Sequence, residues 1–229
     1  MTAPAAPVVA VVPLRDGVSG KSRLATALAP AQRRRLIVTL ARHVVATLTT
    51  DGLVSRVVVV TADPPFAAQA LAGLDTGRVP VAVLPQPETQ PGLNAALDLA
   101  RERIRRESPG ATLLVAHADL PSLTSDDVAA VLAAARDGAR DGVGDGARAG
   151  AGVAIATDRH DAGTNLLALP ADAPFDFQFG VGSRAAHEAQ AARHGLRAVV
   201  VRRPGAAADL DTIDDWDGLP ATTRARLAG

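Results

Sequence analysis

Cysteine is absent from this chain of 229 residues. That excludes disulfides and thiolate metal sites, and it leaves the redox compartment undetermined. Aromatic residues make up only 2%, too few for a surface that stacks successive bases of a nucleic acid. No charge of either sign is in excess: 24 basic residues balance 24 acidic ones, which argues against a broad nucleic-acid-binding face. No apolar run approaches the ~20 residues of a membrane span. The opening MTAPAAP has neither a basic stretch nor a long apolar run, so it does not read as a signal peptide. A cytoplasmic location is expected, with no membrane partner. Lysine is nearly missing too: Lys21 is the only one, and every other basic residue is arginine. Genomic composition bias accounts for the arginines. The single lysine falls in a glycine loop, where a point charge for a phosphate is useful.

What is present is apolar. Such residues form 48% of the chain, enough for a sizeable core, and the length suits one compact domain or at most two small ones. The expectation is a single domain over 1–229, with 1–7 disordered. The organising stretch is Val8 to Leu28, VVAVVPLRDGVSGKSRLATAL. An apolar strand runs into a glycine loop, Arg15 to Gly20, and Lys21-Ser22-Arg23-Leu24 reads as the entry to a helix. A buried strand feeding such a loop brings cations and free backbone N–H groups to a phosphate.

Downstream, Pro30 to Thr50 carries Leu36, Leu40, Val44 and Leu48 at four-residue steps, the period of a helix. Strands are expected at Arg56–Thr61, Val79–Leu84, Thr112–Ala116, Gly152–Thr157 and Leu196–Val201. Helices are expected at Phe66–Leu71, at Leu93–Glu107, from Thr124 with Asp127 as its capping-box partner, at Ser183–His194, and in a last short segment carrying Trp216. Asp137 to Gly150 is a low-complexity Gly/Asp/Arg/Ala stretch and reads as a flexible surface loop. Thr164–Leu169 runs back along 152–157 as a hairpin. Phe175–Gly182 is an aromatic and glycine loop. Near-continuous apolar strands alternating with helices indicate an α/β fold, a mostly parallel central sheet covered on both faces by helices, with a small antiparallel hairpin region. Ligands in such sheets bind at the carboxyl ends of the strands. That rule selects Arg15–Lys21, Thr61–Asp63, Pro85–Asn94 and His117–Asp119.

Several groups in these loops could carry chemistry. Gly17 to Ser22 resembles a P-loop, G-x-x-x-x-G-K-[ST], but the first glycine of that pattern would fall on Arg15, so the loop is too tight for the usual cradle. A P-loop kinase and a non-catalytic nucleotide-binding regulator stand as alternatives. Asp119 follows a strand directly, and Asp209 and Asp211, two apart, share a side if extended. Carboxylates converging from separate strand ends suit Mg²⁺; equally, Asp119 reads as a turn residue and Asp211 as a helix N-cap. Thr164 after Gly163, and Ser183 after Gly180-Val181-Gly182, place hydroxyls beside glycines. They suit an anionic carboxylate or phosphate, or serve as a strand residue and a cap. His43, His187 and His194 read as surface positions on helices, and no histidine has ligand spacing.

Together, Lys21-Ser22-Arg23-Leu24, Leu93-Asn94, Ala118-Asp119-Leu120-Pro121, Gly163-Thr164-Asn165, Phe179-Gly180 with Ser183, and Asp209-Leu210-Asp211-Thr212 resemble the guanylyltransferases of deazaflavin coenzyme F-420 biosynthesis. These are relatives of the MobA-like nucleotidyltransferases, with a GT-A-type fold. The resemblance spans nearly the whole chain. It implies GTP and a small phosphorylated carboxylate as substrates (2-phospholactate, phosphoenolpyruvate or 3-phosphoglycerate), with pyrophosphate as product. Carried over by motif, Asp119, Asp209 and Asp211 would serve Mg²⁺. Arg15, Lys21 and Arg23 would contact phosphates. Leu14, Asp63, Asn94 and Asp119 would lie at the nucleotide, and Thr164, Gly180 and Ser183 at the acceptor. Arg15 stands where the family often has lysine, which changes hydrogen-bond geometry, and Ala162 stands where glycine is frequent. Both leave the acceptor open; His160, close by, is a candidate partner for an extra hydroxyl. A homodimer is a possible assembly.

Overall fold

The structure, a computed structural model, describes residues 6–15, 24–25, 28–140 and 152–228. One seven-stranded sheet runs through it, in the order β3-β2-β1-β4-β6-β5-β7. The strands are β1 Val8–Pro13, β2 Arg56–Thr61, β3 Val81–Pro85, β4 Thr112–Ala116, β5 Gly152–Thr157, β6 Thr164–Pro170 and β7 Arg197–Val201. β6 alone is antiparallel to its neighbours β4 and β5; the other pairings are parallel. The Val/Leu/Ile runs of β1, β2, β4, β5 and β6 are buried almost throughout, as strands covered on both faces must be.

Alternate strand residues feed two cores. Val8, Ala10 and Val12 pack with Val44, Val45 and Leu48 of α1 (Pro30–Thr49), with Phe66 of α2 (Pro64–Leu71) and with Val128 and Leu132 of α4 (Ser125–Arg140). Val9 and Val11 face the opposite way, toward Leu97, Ala100 and Ile104 of α3 (Leu93–Glu107) and Ala191 of α5 (Ser183–Arg193). Each fully buried Leu or Val contributes roughly 1.5–3 kcal/mol, so these two layers carry most of the fold's stability. A third cluster joins Leu36 and Leu40 of α1 to Leu210, Leu219 and Leu227, which lie around the short helices α6 (Pro204–Ala207), α7 (Ile213–Gly218) and α8 (Ala221–Ala228).

Most sequence expectations hold to within a residue or two. Four do not. The low-complexity stretch from Asp137 is helical as far as Arg140; Gly138 has no Cβ and sits where one would lie 3.2 Å from the Gly152 Cα and 3.3 Å from Val199, so α4 closes on the sheet there. Residues 141–151 lie outside the described residues. α2 begins at Pro64, not Phe66, because Asp63 caps it by accepting the Phe66 N–H at 3.0 Å and proline suits the first helical positions. The last segment has three short helices where one is expected. The cap of α7 is Thr212, in a reciprocal box with Asp215, so Asp211 is not needed as a cap. The box expected at Thr124 is present, with the Thr124 N–H and the Asp127 carboxylate paired at 3.1 Å.

Chain direction positions the site. β1, β2 and β3 step outward on one side, and the connection after β3 crosses to β4 on the other side of β1. The strand order therefore reverses between β1 and β4, and the crevice of such a sheet opens at the carboxyl ends of that pair. Leu14-Arg15 and His117-Ala118-Asp119 border it.

Candidate active site

β1 continues past Pro13, since the Leu14 N–H donates to the Val60 carbonyl at 2.9 Å. Leu14 is buried and Arg15 is exposed at the crevice mouth. Lys21 and Arg23 lie outside the described residues. Across the switch point, Asp119 ends the turn after β4. Its carbonyl accepts the Leu210 N–H at 3.1 Å, and Leu210 is fully buried. That one backbone bond fastens the 209–211 segment to the 119 turn, although 90 residues separate them in sequence. The charges act on each other as well: burial first, then the negative charge of Asp119, raise the Asp209 pKa, with Asp211 adding to the shift. A carboxylate whose charge is disfavoured by a neighbouring carboxylate is a group that a divalent cation could relieve. Among the described residues no group of three or more His, Cys, Asp or Glu forms a self-contained metal site.

Asp215 shapes this segment from behind. Its Oδ2 accepts the N–H groups of Asp211 at 2.8 Å and Thr212 at 2.6 Å. Its Oδ1 takes the Arg159 guanidinium. Burial would raise the Asp215 pKa, yet the shift is downward, because the Asp211 N–H, Arg159 and Thr212 together favour the charged form.

Arg159 begins the tight β5–β6 turn. Asp158 accepts the Ala162 N–H at 2.9 Å. Its Oδ2 lies 2.8 Å from where a Cβ on Gly163 would sit, so position 163 must be glycine while Asp158 holds the turn. His160 is exposed and its Nε2 is 3.1 Å from Arg159 Nε. β6 leaves the turn with Thr164 and Asn165 buried. Because β6 is antiparallel, its first residues arrive at the same edge as the ends of β4 and β5: the His117 N–H donates to the Asn165 carbonyl at 3.1 Å.

The acceptor-loop residues come from the other layer. From 171 to 180 every second residue is buried, the pattern of an extended segment lying on a core. Phe175, Phe177 and Phe179 are its anchors. Asn94, at the start of α3, pins the end of this segment: its Nδ2 donates to the Phe179 carbonyl at 3.1 Å and its Oδ1 accepts the Phe179 N–H at 2.9 Å. Its amide is thus engaged with the loop. The loop then turns through Gly180 (φ 148°) and Gly182 (φ 70°), backbone angles that only glycine adopts readily, and delivers Ser183 to the first turn of α5.

His187 overturns its surface reading. It is fully buried, one turn beyond Ser183 on the same helix face, and its Nδ1 lies 3.0 Å from Thr164 Oγ1. His43 is half-buried, and His194 alone of the three is exposed. Apolar periodicity could not find His187, because the inward face of α5 is itself polar, with Ser183 and Gln190 beside it.

The chain is similar to known proteins. A family model described as a MobA-like NTP transferase domain matches residues 26–148. The chain belongs to the MobA-like NTP transferase family. It is therefore a nucleotidyltransferase, an enzyme. Within that family it is 38% identical to a phosphoenolpyruvate guanylyltransferase of Sphaerobacter thermophilus, over 92% of this chain and 91% of the relative. It is 33% identical to a 3-phospho-D-glycerate guanylyltransferase of Phenylobacterium zucineum, over 90% of this chain and 86% of that one. The fold matches a solved structure from Desulfovibrio desulfuricans, assigned to the nucleotide-diphospho-sugar transferases, with a TM-score of 0.69 at 14% identity, covering 97% of this chain and 94% of that one. Among the described residues no helix is long and apolar enough to cross a membrane.

Proposed function

We propose that this nucleotidyltransferase joins the GMP moiety of GTP to a small phosphorylated carboxylate and releases pyrophosphate, a step in making a deazaflavin coenzyme of the F-420 type in the cytoplasm. The names of its relatives support guanylyl transfer and an acceptor such as phosphoenolpyruvate or 3-phosphoglycerate. The observation that carries the chemistry is the bond from the Leu210 N–H to the Asp119 carbonyl, which brings residues 209–211 to the 119 turn, with burial and the Asp119 charge both raising the Asp209 pKa. Asp119 and Asp209, with Asp211 alongside, would hold Mg²⁺, completed by substrate phosphates. Bound there, the ion would supply charge neutralisation for the transferring phosphoryl group.

The protein's own contribution is positioning. An oxygen of the acceptor phosphate, already ionised near neutral pH, attacks the α-phosphorus of GTP. The new P–O bond forms as the bond to the bridging oxygen breaks, and pyrophosphate carries away the electron pair. No general base is required. Arg15 at the crevice mouth, with Lys21 and Arg23 of the glycine loop, offsets charge on the phosphates. Asp63 and Leu14 border the nucleotide side. Thr164, Gly180 and Ser183 receive the acceptor, and His160 borders it. Pyrophosphate release measured with GTP and, separately, 2-phospholactate, phosphoenolpyruvate and 3-phosphoglycerate tests this reading. Release with one acid and GTP, and none with ATP, is expected. Production of GDP or ADP instead would replace it with a kinase.

A further inference from the structure

Thr164 is buried in the sheet, yet a second buried residue from another layer points at its hydroxyl. His187 lies between two partners. The Gln178 backbone N–H meets His187 Nε2 at 3.0 Å, and Thr164 Oγ1 meets Nδ1 at 3.0 Å. A backbone N–H can only donate, so Nε2 must carry a lone pair. The ring is held neutral, since burial, with His117 nearby, lowers its pKa to about 4. A neutral ring whose Nε2 accepts has its proton on Nδ1. Nδ1–H therefore donates to Thr164 Oγ1, and the hydroxyl proton must turn away from the histidine. The packing fixes the ring in this pose: Phe179 lies edge-on to it at 4.7 Å between centroids, and Phe175 lies at 5.6 Å.

We propose that His187 is a positioning residue that locks the Thr164 hydroxyl as a donor toward the anionic acceptor, through the chain Gln178 N–H to His187 to Thr164. This rests on the reading of Thr164 as an acceptor-binding residue. Left unsupported, a threonine hydroxyl can donate or accept as it rotates; an oxygen lone pair turned toward a carboxylate or phosphate would repel it. With one lone pair engaged by Nδ1–H, the hydroxyl hydrogen cannot point at the ring and is turned toward the crevice, where it is the group biased to meet an anion. Gln178 immediately precedes Phe179, whose backbone Asn94 pins. The same pinned segment thus sets both the loop leading to Gly180 and the protonation of the ring.

The test uses steady-state kinetics of the full chain with GTP and its best acceptor. His187→Phe removes the donor and keeps the ring volume. It should raise KM for the acceptor about 10- to 100-fold, the weight of one hydrogen bond to a charged group, with KM for GTP unchanged. His187→Asn places an amide N–H near the position of Nδ1 and should recover most of that loss. Thr164→Val should raise the same KM, and the double variant should be no worse than Thr164→Val alone. If Thr164→Val leaves the acceptor KM unchanged, the assignment of the acceptor site falls. If Thr164→Val raises it and His187→Phe does not, the positioning role falls while the site stands. Should His187→Phe fail to fold, nitrogen-15 NMR of the labelled wild-type protein decides: an Nδ1–H tautomer at neutral pH supports the proposal, and an Nε2–H tautomer overturns it.

Discussion

Replacing Asp119 with asparagine should separate the cation-binding role of the carboxylate pair from its effect on folding. The variant keeps the volume of the side chain and leaves the backbone bond from Leu210 in place. It removes one of two negative charges that stand together, the second being Asp209, whose pKa is raised by burial and by Asp119. The sign follows from linkage. A carboxyl whose folded pKa lies above its unfolded value binds its proton more tightly when folded, so stability falls as pH rises from the unfolded value through the folded one. At neutral pH the full penalty is present. Removing the neighbouring charge relieves part of it, on the order of 1 kcal/mol for a partly solvated like-charge pair. In a chain of this size that is a rise in Tm of about 2–4 °C. Catalysis should move the other way, with kcat falling on the order of 10²–10³ when one electrostatic contact to the transferring group is lost. Calorimetry in chelator and then in millimolar Mg²⁺ with GTP reads both effects. In chelator Asp119→Asn should melt higher than wild type. With Mg²⁺ and GTP the wild type should gain and the variant should not. A variant that melts lower in chelator, or that keeps near-normal turnover, would show that residues 119 and 209 do not share an ion.

Three other substitutions probe what surrounds the pair. Gly163→Ala sets a methyl group 2.8 Å from Asp158 Oδ2, forcing Asp158 away from the Ala162 N–H. Acceptor KM should rise several-fold and Tm should fall, with KM for GTP unmoved in the same assay. Asn94→Ala removes both bonds to the Phe179 backbone, leaving a half-buried N–H and carbonyl unpaired. That costs about 1–3 kcal/mol, visible as a lower urea midpoint together with weaker acceptor binding. Asp215 has a depressed pKa, so its contribution is present above the unfolded carboxylate value and is lost as pH falls through the folded one. Asp215→Asn should therefore flatten the acid limb of the stability curve below about pH 4, and a denaturation series from pH 7 to pH 2 measures it.

The order of these elements was legible in the chain because each strand is buried on both faces and so writes its burial as an unbroken apolar run, as in Arg56–Thr61 and Thr112–Ala116. The acidic side of the site was legible for a related reason. Asp119 stands just past the apolar run of β4, and the bond from the Leu210 N–H to its carbonyl brings residues 209–211 to that end. The partner of β6 was not legible. Residues 152–157 and 164–170 read as a hairpin, but nothing local states that β6 slots between β5 and β4, since strand partners are chosen by packing of the whole sheet. It is that insertion which carries Thr164 to the crevice beside the end of β4. Asn94 was legible as a residue of interest, but the use of its amide was not, because its partner is the backbone of Phe179, 85 residues away.

His187 shows the limit in sharper form. A sequence marks a core position by its hydrophobicity, and α5 buries Ser183, His187 and Gln190 on its inner face, so its moment points nowhere useful. The burial of the two larger groups is tolerable because they have partners: Thr164 and the Gln178 backbone for the histidine, Asp176 at 2.8 Å and Arg193 at 3.1 Å for Gln190. An unpaired buried polar group would cost about 1–3 kcal/mol, and an apolar face would pack equally well without that risk. Under the proposed function, that polar lining holds the Thr164 hydroxyl in one orientation. A reader of sequence could reach this residue only by asking why a helix that must be buried on one side carries so few large apolar side chains there.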